Sequence, residues 1–253
     1  MPLPLLAHQA PVLPLKLWRP AAFNGTALVV GSVAPDFEYF LDRGGRAANF
    51  GHIATAQLLF CLPVSLFVVL LVGHLGLGEV FAARFPRLRW LSGAATDVKA
   101  SGGLLRAGAS ALTGSFSHLL LDALTHEVIP RWLPSHTFHV GGFAASTPAV
   151  VQLVASVVLA FVTLWALWRI SLQHAHEPVA PRRGAGVLVS CMLLGVAAGV
   201  RQSLPALRHP DWYFDAGRLY VWGHTAFFVA SGLVAGAIVG AVPLALWDRR
   251  ARP

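Results

Sequence analysis

Five mostly apolar stretches, at residues 54 to 78, 103 to 124, 147 to 170, 184 to 204 and 221 to 247, constrain this chain more than any other feature of it. Each is bounded by Gly, Pro or Arg and runs to about 20 residues, the helix length that covers a hydrocarbon core of ~30 Å. Only 12% of the 253 residues are charged and 56% are hydrophobic. With a mean hydropathy of +0.64, there is too little polar surface to cover a water-soluble fold.

A sixth stretch, residues 23 to 40, is continuously apolar only over 27 to 34 before Pro35 and Asp36 interrupt it. About eight residues cannot span a bilayer as a helix. Either it tilts through with polar ends, or residues 3 to 40 form a re-entrant or interfacial pair packed against protein. The expected fold is therefore all-α: a polytopic membrane helical bundle with five to six transmembrane helices and an N-terminal re-entrant or interfacial segment. Residues 1–253 read as a single integral membrane domain. No repeat of 20 to 50 residues and no inverted repeat is visible.

The net charge of +8 and pI near 10.7 would suggest a nucleic-acid partner in a soluble protein. Here the Arg residues sit in short loops between spans, so the expected partner is the lipid bilayer and not nucleic acid. Arg84, Arg87 and Arg89, with Arg249, Arg250 and Arg252, are expected to lie against anionic lipid heads on the cytoplasmic side. The positive-inside bias puts the C-terminus in the cytoplasm with five spans or with six, in the inner (plasma) membrane. Cys61 and Cys191 fall inside apolar stretches and read as small buried hydrophobes. The first twenty residues carry Pro2, Pro4, Pro11, Pro14 and Pro20 without a cleavage site after a basic start, so no cleaved signal peptide is expected.

The stretch from 103 to 124 is interrupted by Arg106, Ser110, Thr113, Ser115, Ser117, His118 and Asp122, which must face protein or water. His118, Asp122 and His126 are spaced four apart and share one helical stripe. His118 and Asp122 are close enough to hold one ion, while eight residues span about 12 Å, too far for His118 and His126 to share it on a straight helix. For both to be ligands, the helix must unwind near Thr125 or Asp122 must bridge two ions. Metal ligation and structural hydrogen bonding both account for the His118–Asp122 pair.

On this topology Asp36, His52, His118, Asp122, His126, His136, His139, His209, Asp211, Asp215 and His224 collect at the outer ends of spans or in outer loops. The five-span version adds His8. His174 and His176 fall on the cytoplasmic side with His74 nearby. Isolated loop residues such as His136, His139 and His209 are ordinarily just solvated, and Asp211 and Asp215 could simply pair with Arg208 and Arg218.

Three blocks resemble a family of uncharacterised bacterial membrane proteins known as domain of unknown function 4184. They are Leu6-Ala7-His8-Gln9-Ala10-Pro11-Val12-Leu13-Pro14-Leu15; Gly31-Ser32-Val33-Ala34-Pro35-Asp36-Phe37-Glu38-Tyr39-Phe40 with Gly51-His52 and Cys61-Leu62-Pro63; and Ser117-His118-Leu119-Leu120-Leu121-Asp122-Ala123-Leu124-Thr125-His126-Glu127. The resemblance covers residues 4–170, and 171–253 are recognisable only as apolar helices of unknown role. The order of these residues is also similar to the membrane-bound metal-dependent hydrolases and, more distantly, to zinc-dependent phospholipases C and single-strand nucleases. That likeness implies His8, Asp36, His52, His118, Asp122 and His126 as metal ligands, with Zn²⁺ as the cofactor such nitrogen and oxygen donors suit.

The reading that follows is a membrane-embedded, metal-dependent hydrolase acting at the outer leaflet on a phosphoester of a lipid or isoprenoid. Asp36 or Glu127 would be its catalytic base. The alternative is a non-enzymatic membrane protein, a transporter or assembly factor, that uses the same residues to handle protons or metal. A third reading, purely structural polar packing, requires the six side chains to be scattered in space.

Overall fold

A computed structural model describes residues 4–38, 50–85, 88, 91, 102–134, 136–140, 143–173, 182–208 and 218–250. These are all α-helical apart from short turns and one β-ribbon, in which β1 (Thr137–Val140) pairs antiparallel with β2 (Phe143–Ser146), Thr137 opposite Ser146. Three short helices open the chain: α1 (Pro4–Ala7), α2 (Leu13–Trp18) and α3 (Gly25–Val33). Asn24 starts α3 by accepting a 2.8 Å hydrogen bond from the Ala27 N–H on its side chain, the usual solution for the unpaired donors of a first turn. Pro35 then tightens the chain into a single 3₁₀ turn, Ala34–Phe37. With nine residues, α3 is about 13 Å long and cannot cross a ~30 Å core.

The longer helices are α4 (Ala54–Leu75), α6 (Gly103–Asp122), α7 (Thr147–Gln173), α8 (Ala185–Arg208) and α9 (Arg218–Arg250), with the short α5 (Leu77–Arg84) after α4. Gly76, at φ +67°, joins α4 to α5 in a left-handed conformation that glycine adopts without a Cβ penalty. Among the described residues four helices are long and apolar enough to cross a membrane: Ala54–Leu75, Thr147–Gln173, Ala185–Pro205 and Phe228–Arg250. The stretch expected at 103 to 124 is helical but is not one of them, because its polar side chains dilute its hydropathy. Length and composition thus support four spans where five to six were expected.

The outward faces of the four are apolar. Leu59, Phe161, Leu194 and Trp247 are among many large exposed hydrophobic side chains, an arrangement that costs free energy against water and none against lipid tails. Where helices meet, small residues let backbones touch. A Cβ on Gly195 would strike the Gly232 carbonyl, and one on Gly236 would strike the Cys191 carbonyl, so α8 and α9 pack along glycines four apart.

The same device joins α3 to α6. A Cβ on Gly31 would collide with the Ala111 carbonyl and one on Gly114 with the Leu28 carbonyl. The Asn24 N–H donates to Ser110 Oγ at 3.0 Å, so the two helices lie side by side in the same direction and their C-terminal ends arrive together. The N-terminal segment is tied to α7 by a 2.6 Å hydrogen bond from Thr163 Oγ1 to the Leu6 carbonyl, and by Leu13 packed on Ala166 and Ile170.

A charge network ties α5 to the last turn of α9. Arg84 donates from both terminal nitrogens to the Asp248 carboxylate at 3.0 and 3.2 Å, and Arg182 joins the same carboxylate at 3.1 Å. The expectation that Arg84 contacts lipid heads is corrected by this geometry: its side chain is buried and committed to Asp248. Arg249 and Arg250 are exposed, while Arg87, Arg89 and Arg252 lie outside the described residues.

Candidate metal centre

Where α3 and α6 end together, five polar side chains converge. His8 comes from the turn after α1, Asp36 from the 3₁₀ turn after α3, His52 from the turn Phe50–His52 that precedes α4, and His118 and Asp122 from the last turns of α6. Gly51 allows the two turns to stack, since a Cβ there would strike the Pro35 carbonyl. Gln57 holds the same loop by donating from Nε2 to the Gly51 carbonyl at 2.8 Å and the Ile53 carbonyl at 3.1 Å.

The tautomers of two histidines follow from their partners. His118 Nδ1 lies 2.8 Å from the Ser32 carbonyl, and His52 Nδ1 lies 3.1 Å from Glu38 Oε1. Both partners only accept, so in each ring Nδ1 carries the proton and Nε2 is left to face the cluster. Those two Nε2 atoms are 3.3 Å apart. Asp122 Oδ2 lies 3.4 Å from His118 Nε2 and 3.5 Å from His52 Nε2. For ligands about 2.0–2.1 Å from a tetrahedral zinc ion, the expected separation between donors is about 3.3–3.4 Å. The three atoms therefore outline one face of such a tetrahedron, and Asp36 Oδ1 lies 3.7 Å from His118 Nε2 and 3.8 Å from His52 Nε2.

Asp36 supplies an independent test of fit. It is 1% exposed, and neither carboxylate oxygen has a hydrogen-bond partner among the described residues. A buried carboxylate without donors costs several kcal/mol if it is charged, and burial pushes its carboxyl up to about 6. His52 is raised above the ordinary imidazole range: burial opposes its charge, but the Asp122 hydrogen bond, the Asp36 charge and the Glu38 hydrogen bond outweigh that. The cluster is arranged to hold positive charge, whether as protons or as a metal ion. His52, His118 and Asp122 form one group that could hold a metal ion, and His8, Asp36 and His118 form another.

Access is one-sided. The side chains of His118 and Asp36 are 0% and 2% exposed, while those of His52 and Asp122 are 16% and 19% exposed, so the centre opens past the latter two.

The structure thus brings together His8, Asp36, His52, His118 and Asp122. The side chains of His126 and Glu127 lie outside the described residues, although their backbone does not. The helix leaves α geometry after Asp122 in a π turn over Ala123–Val128, so a straight-helix extrapolation from His118 to His126 does not apply. His136 is exposed on the approach to the β-ribbon. The side chains of His139 and His224, and residues His174, His176, His209, Asp211 and Asp215, are outside what is described. Cys61 is buried and Cys191 partly so, both as free thiols.

Sequence reasoning missed Glu38 and the Ser32 carbonyl. Glu38 accepts from His52 Nδ1 with one oxygen and from the Gly51 N–H, at 2.8 Å, with the other, so it both orients a ring and fixes the loop carrying it. Its signal was an acidic side chain two positions after Asp36 in an otherwise apolar block. No side-chain identity marks a backbone acceptor such as Ser32.

A chain whose described residues are helical apart from short turns and one β-ribbon, with four membrane-length apolar helices among them and a buried histidine and carboxylate cluster that could hold a metal ion, defines a polytopic membrane protein with a polar centre. Within that class the chain belongs to the family described as domain of unknown function (DUF4184), whose model matches residues 1–243. Membership therefore extends well beyond residues 4–170 and takes in most of the C-terminal helices. No curated protein and no solved structure matches the chain.

Proposed function

We propose that this protein is a membrane-embedded, metal-dependent hydrolase with an ion held by His52, His118, Asp122 and Asp36. The observation that carries the metal assignment is the 3.3 Å approach of two Nε2 atoms whose rings each have an acceptor on Nδ1. Two lone pairs at that distance repel unless a proton or a metal ion lies between them, and a site flanked by two carboxylates suits a divalent ion. A borderline ion with mixed nitrogen and oxygen donors points to Zn²⁺.

Such an ion supplies an activated water at neutral pH and polarises the bond under attack. With Asp36 counted as a ligand, the general-base role falls to Glu127, on the turn that follows Asp122. The substrate class is a phosphoester of a lipid or isoprenoid: the site lies at the end of a bundle with lipid-facing flanks, and the distant likeness to phosphoester-cleaving zinc enzymes points the same way. Water oxygen attacks phosphorus, the phosphorus–oxygen bond to the alcohol breaks, and the alcohol leaves with the proton the base has taken up.

In this reading the protein sits in the plasma membrane with its C-terminus cytoplasmic and its centre at the outer leaflet. The helix α6 crosses with its polar stripe toward the bundle and Leu105, Phe116 and Leu120 facing outward, and residues 4–38 form the re-entrant segment that delivers His8 and Asp36. The test is metal analysis of detergent-purified protein together with hydrolysis of phosphoesters presented in micelles, with and without chelator. Stoichiometric metal and chelator-sensitive cleavage are expected. Metal without cleavage of any phosphoester moves the reading to a transporter or assembly factor, and absence of metal ends it.

A further inference from the structure

Asp122 faces two ways. Its Oδ2 belongs to the group formed with His52 and His118, but its Oδ1 lies 3.7 Å from His8 Nε2. His8 is stacked on His118, the ring centroids 3.8 Å apart and the planes inclined by only 18°. Because both Nε2 atoms approach the same carboxylate, the two parallel rings present their donors side by side toward Asp122. The 3.8 Å ring separation falls within the spacing of about 3.5–4 Å between the ions in two-metal sites.

Asp36 has the same two-sidedness. Its Oδ1 is directed toward His52 and His118, its Oδ2 is buried without a hydrogen-bond partner among the described residues, and the residue also falls within ligand distance of His8. His118 cannot serve two ions, since its Nδ1 is committed to the Ser32 carbonyl. That leaves His8, Asp36 and Asp122 for a second position.

We infer that the centre binds a second divalent cation, held by His8 Nε2 and the far oxygens of Asp36 and Asp122, with both carboxylates bridging the two ions. This rests on the metal reading above and deepens it. Three protein donors leave a coordination position open at the second ion. A pair of cations at this spacing suits a substrate that offers two oxygens on one centre, as a phosphoryl group does. His8 sits in the short N-terminal segment, so that segment is part of the site and not merely a cover for it.

The experiment is metal titration of the full-length, detergent-purified protein, stripped of metal and reloaded with Zn²⁺, and with Mn²⁺ for electron paramagnetic resonance. Two Zn²⁺ per wild-type chain and one per His8→Ala chain are expected, with circular dichroism showing the variant still helical. Wild type should give the exchange-coupled spectrum of a Mn²⁺ pair, a readout that stands even if His8→Ala does not fold. One Zn²⁺ per wild-type chain, unchanged in His8→Ala, with an isolated Mn²⁺ spectrum, would overturn the second position and leave the first intact. Two Zn²⁺ retained in His8→Ala would overturn the ligand assignment, and no Zn²⁺ in wild type would remove both ions.

Discussion

His52 and His118 meet Nε2 to Nε2 at 3.3 Å although 66 residues separate them in the chain. Each ring is turned to that position by an acceptor on its other nitrogen, Glu38 in one case and the Ser32 carbonyl in the other. Removing either side of this relationship should empty the centre. His118→Ala and Asp122→Asn should each lower metal affinity by at least about 100-fold, read by elemental analysis after desalting, with helicity retained. His174→Ala should bind as wild type does. Full metal content in both site variants would show that His118 and Asp122 are not the ligands.

Glu38→Gln tests orientation separately from ligation. The amide keeps the shape and an acceptor for the Gly51 N–H but loses the negative charge behind the His52 ring. Loss of such a partner typically weakens metal binding by about 10- to 100-fold. Competition with a metal indicator should show that loss as weaker affinity at unchanged stoichiometry, and an affinity equal to wild type would mean that the His52 ring is oriented by packing alone.

The pH dependence has a definite sign. Burial pushes the Asp36 carboxyl up to about 6, and His52 also titrates above its ordinary range. As pH falls through about 6 the carboxyl takes up a proton that an incoming ion must displace. Affinity should therefore decline by about tenfold per pH unit for one displaced proton, and more steeply for two. Calorimetric titrations at pH 7 and pH 5 in buffers of different protonation enthalpy would show both the weakening and the released protons. A flat affinity over that range would exclude Asp36 and His52 from the ligand set.

Gly31→Ala and Gly114→Ala should disrupt the centre from a distance. Each added methyl meets the backbone of the facing helix, which has no flexible end to move aside, so a cost of about 1–3 kcal/mol is expected. Because α3 carries Asp36 and α6 carries His118, the same shift should separate ligands. Thermal unfolding in detergent and metal content should fall together. Gly186→Ala, where an added Cβ meets nothing within 4 Å, is the control.

The apolar helices were legible because lipid imposes a length and a composition on every crossing segment. The expected edges at 54, 147 and 184 fall within one residue of Ala54, Thr147 and Ala185. The intramembrane pair His118 and Asp122 was legible from cost, since nothing retains such residues in apolar surroundings without a partner. Arg84 misled, because a basic residue in a loop reads as a topology marker and its partner Asp248 is 164 positions away. The π turns over Gln57–Cys61 and Ala123–Val128 have no residue-level signature, so the stripe from His118 to His126 was extrapolated on the wrong pitch. Glu38 was visible but unassigned, because its role exists only once Gly51 and His52 fold onto Asp36.

Orientation is testable without purifying anything. Reporter fusions at Pro253 and Pro210 should give opposite signals, cytoplasmic for Pro253 and external for Pro210, as the distribution of Arg between the loops requires. A cytoplasmic signal from Pro210 would break the grouping of the histidine-bearing ends on the outer side.

The acceptor that orients His118 is a main-chain oxygen, and no codon change at position 32 deletes it. A saturation screen would score Ser32 by volume alone, since its surroundings are tight: Gly114 stands against its backbone, and its hydroxyl turns back to the Val29 carbonyl at 2.9 Å. Alanine there should be silent and leucine damaging. Mutational tolerance maps of this protein will therefore record a packing position where a chemical one exists, and the same blind spot will apply to any survey that ranks residues by how freely their side chains vary.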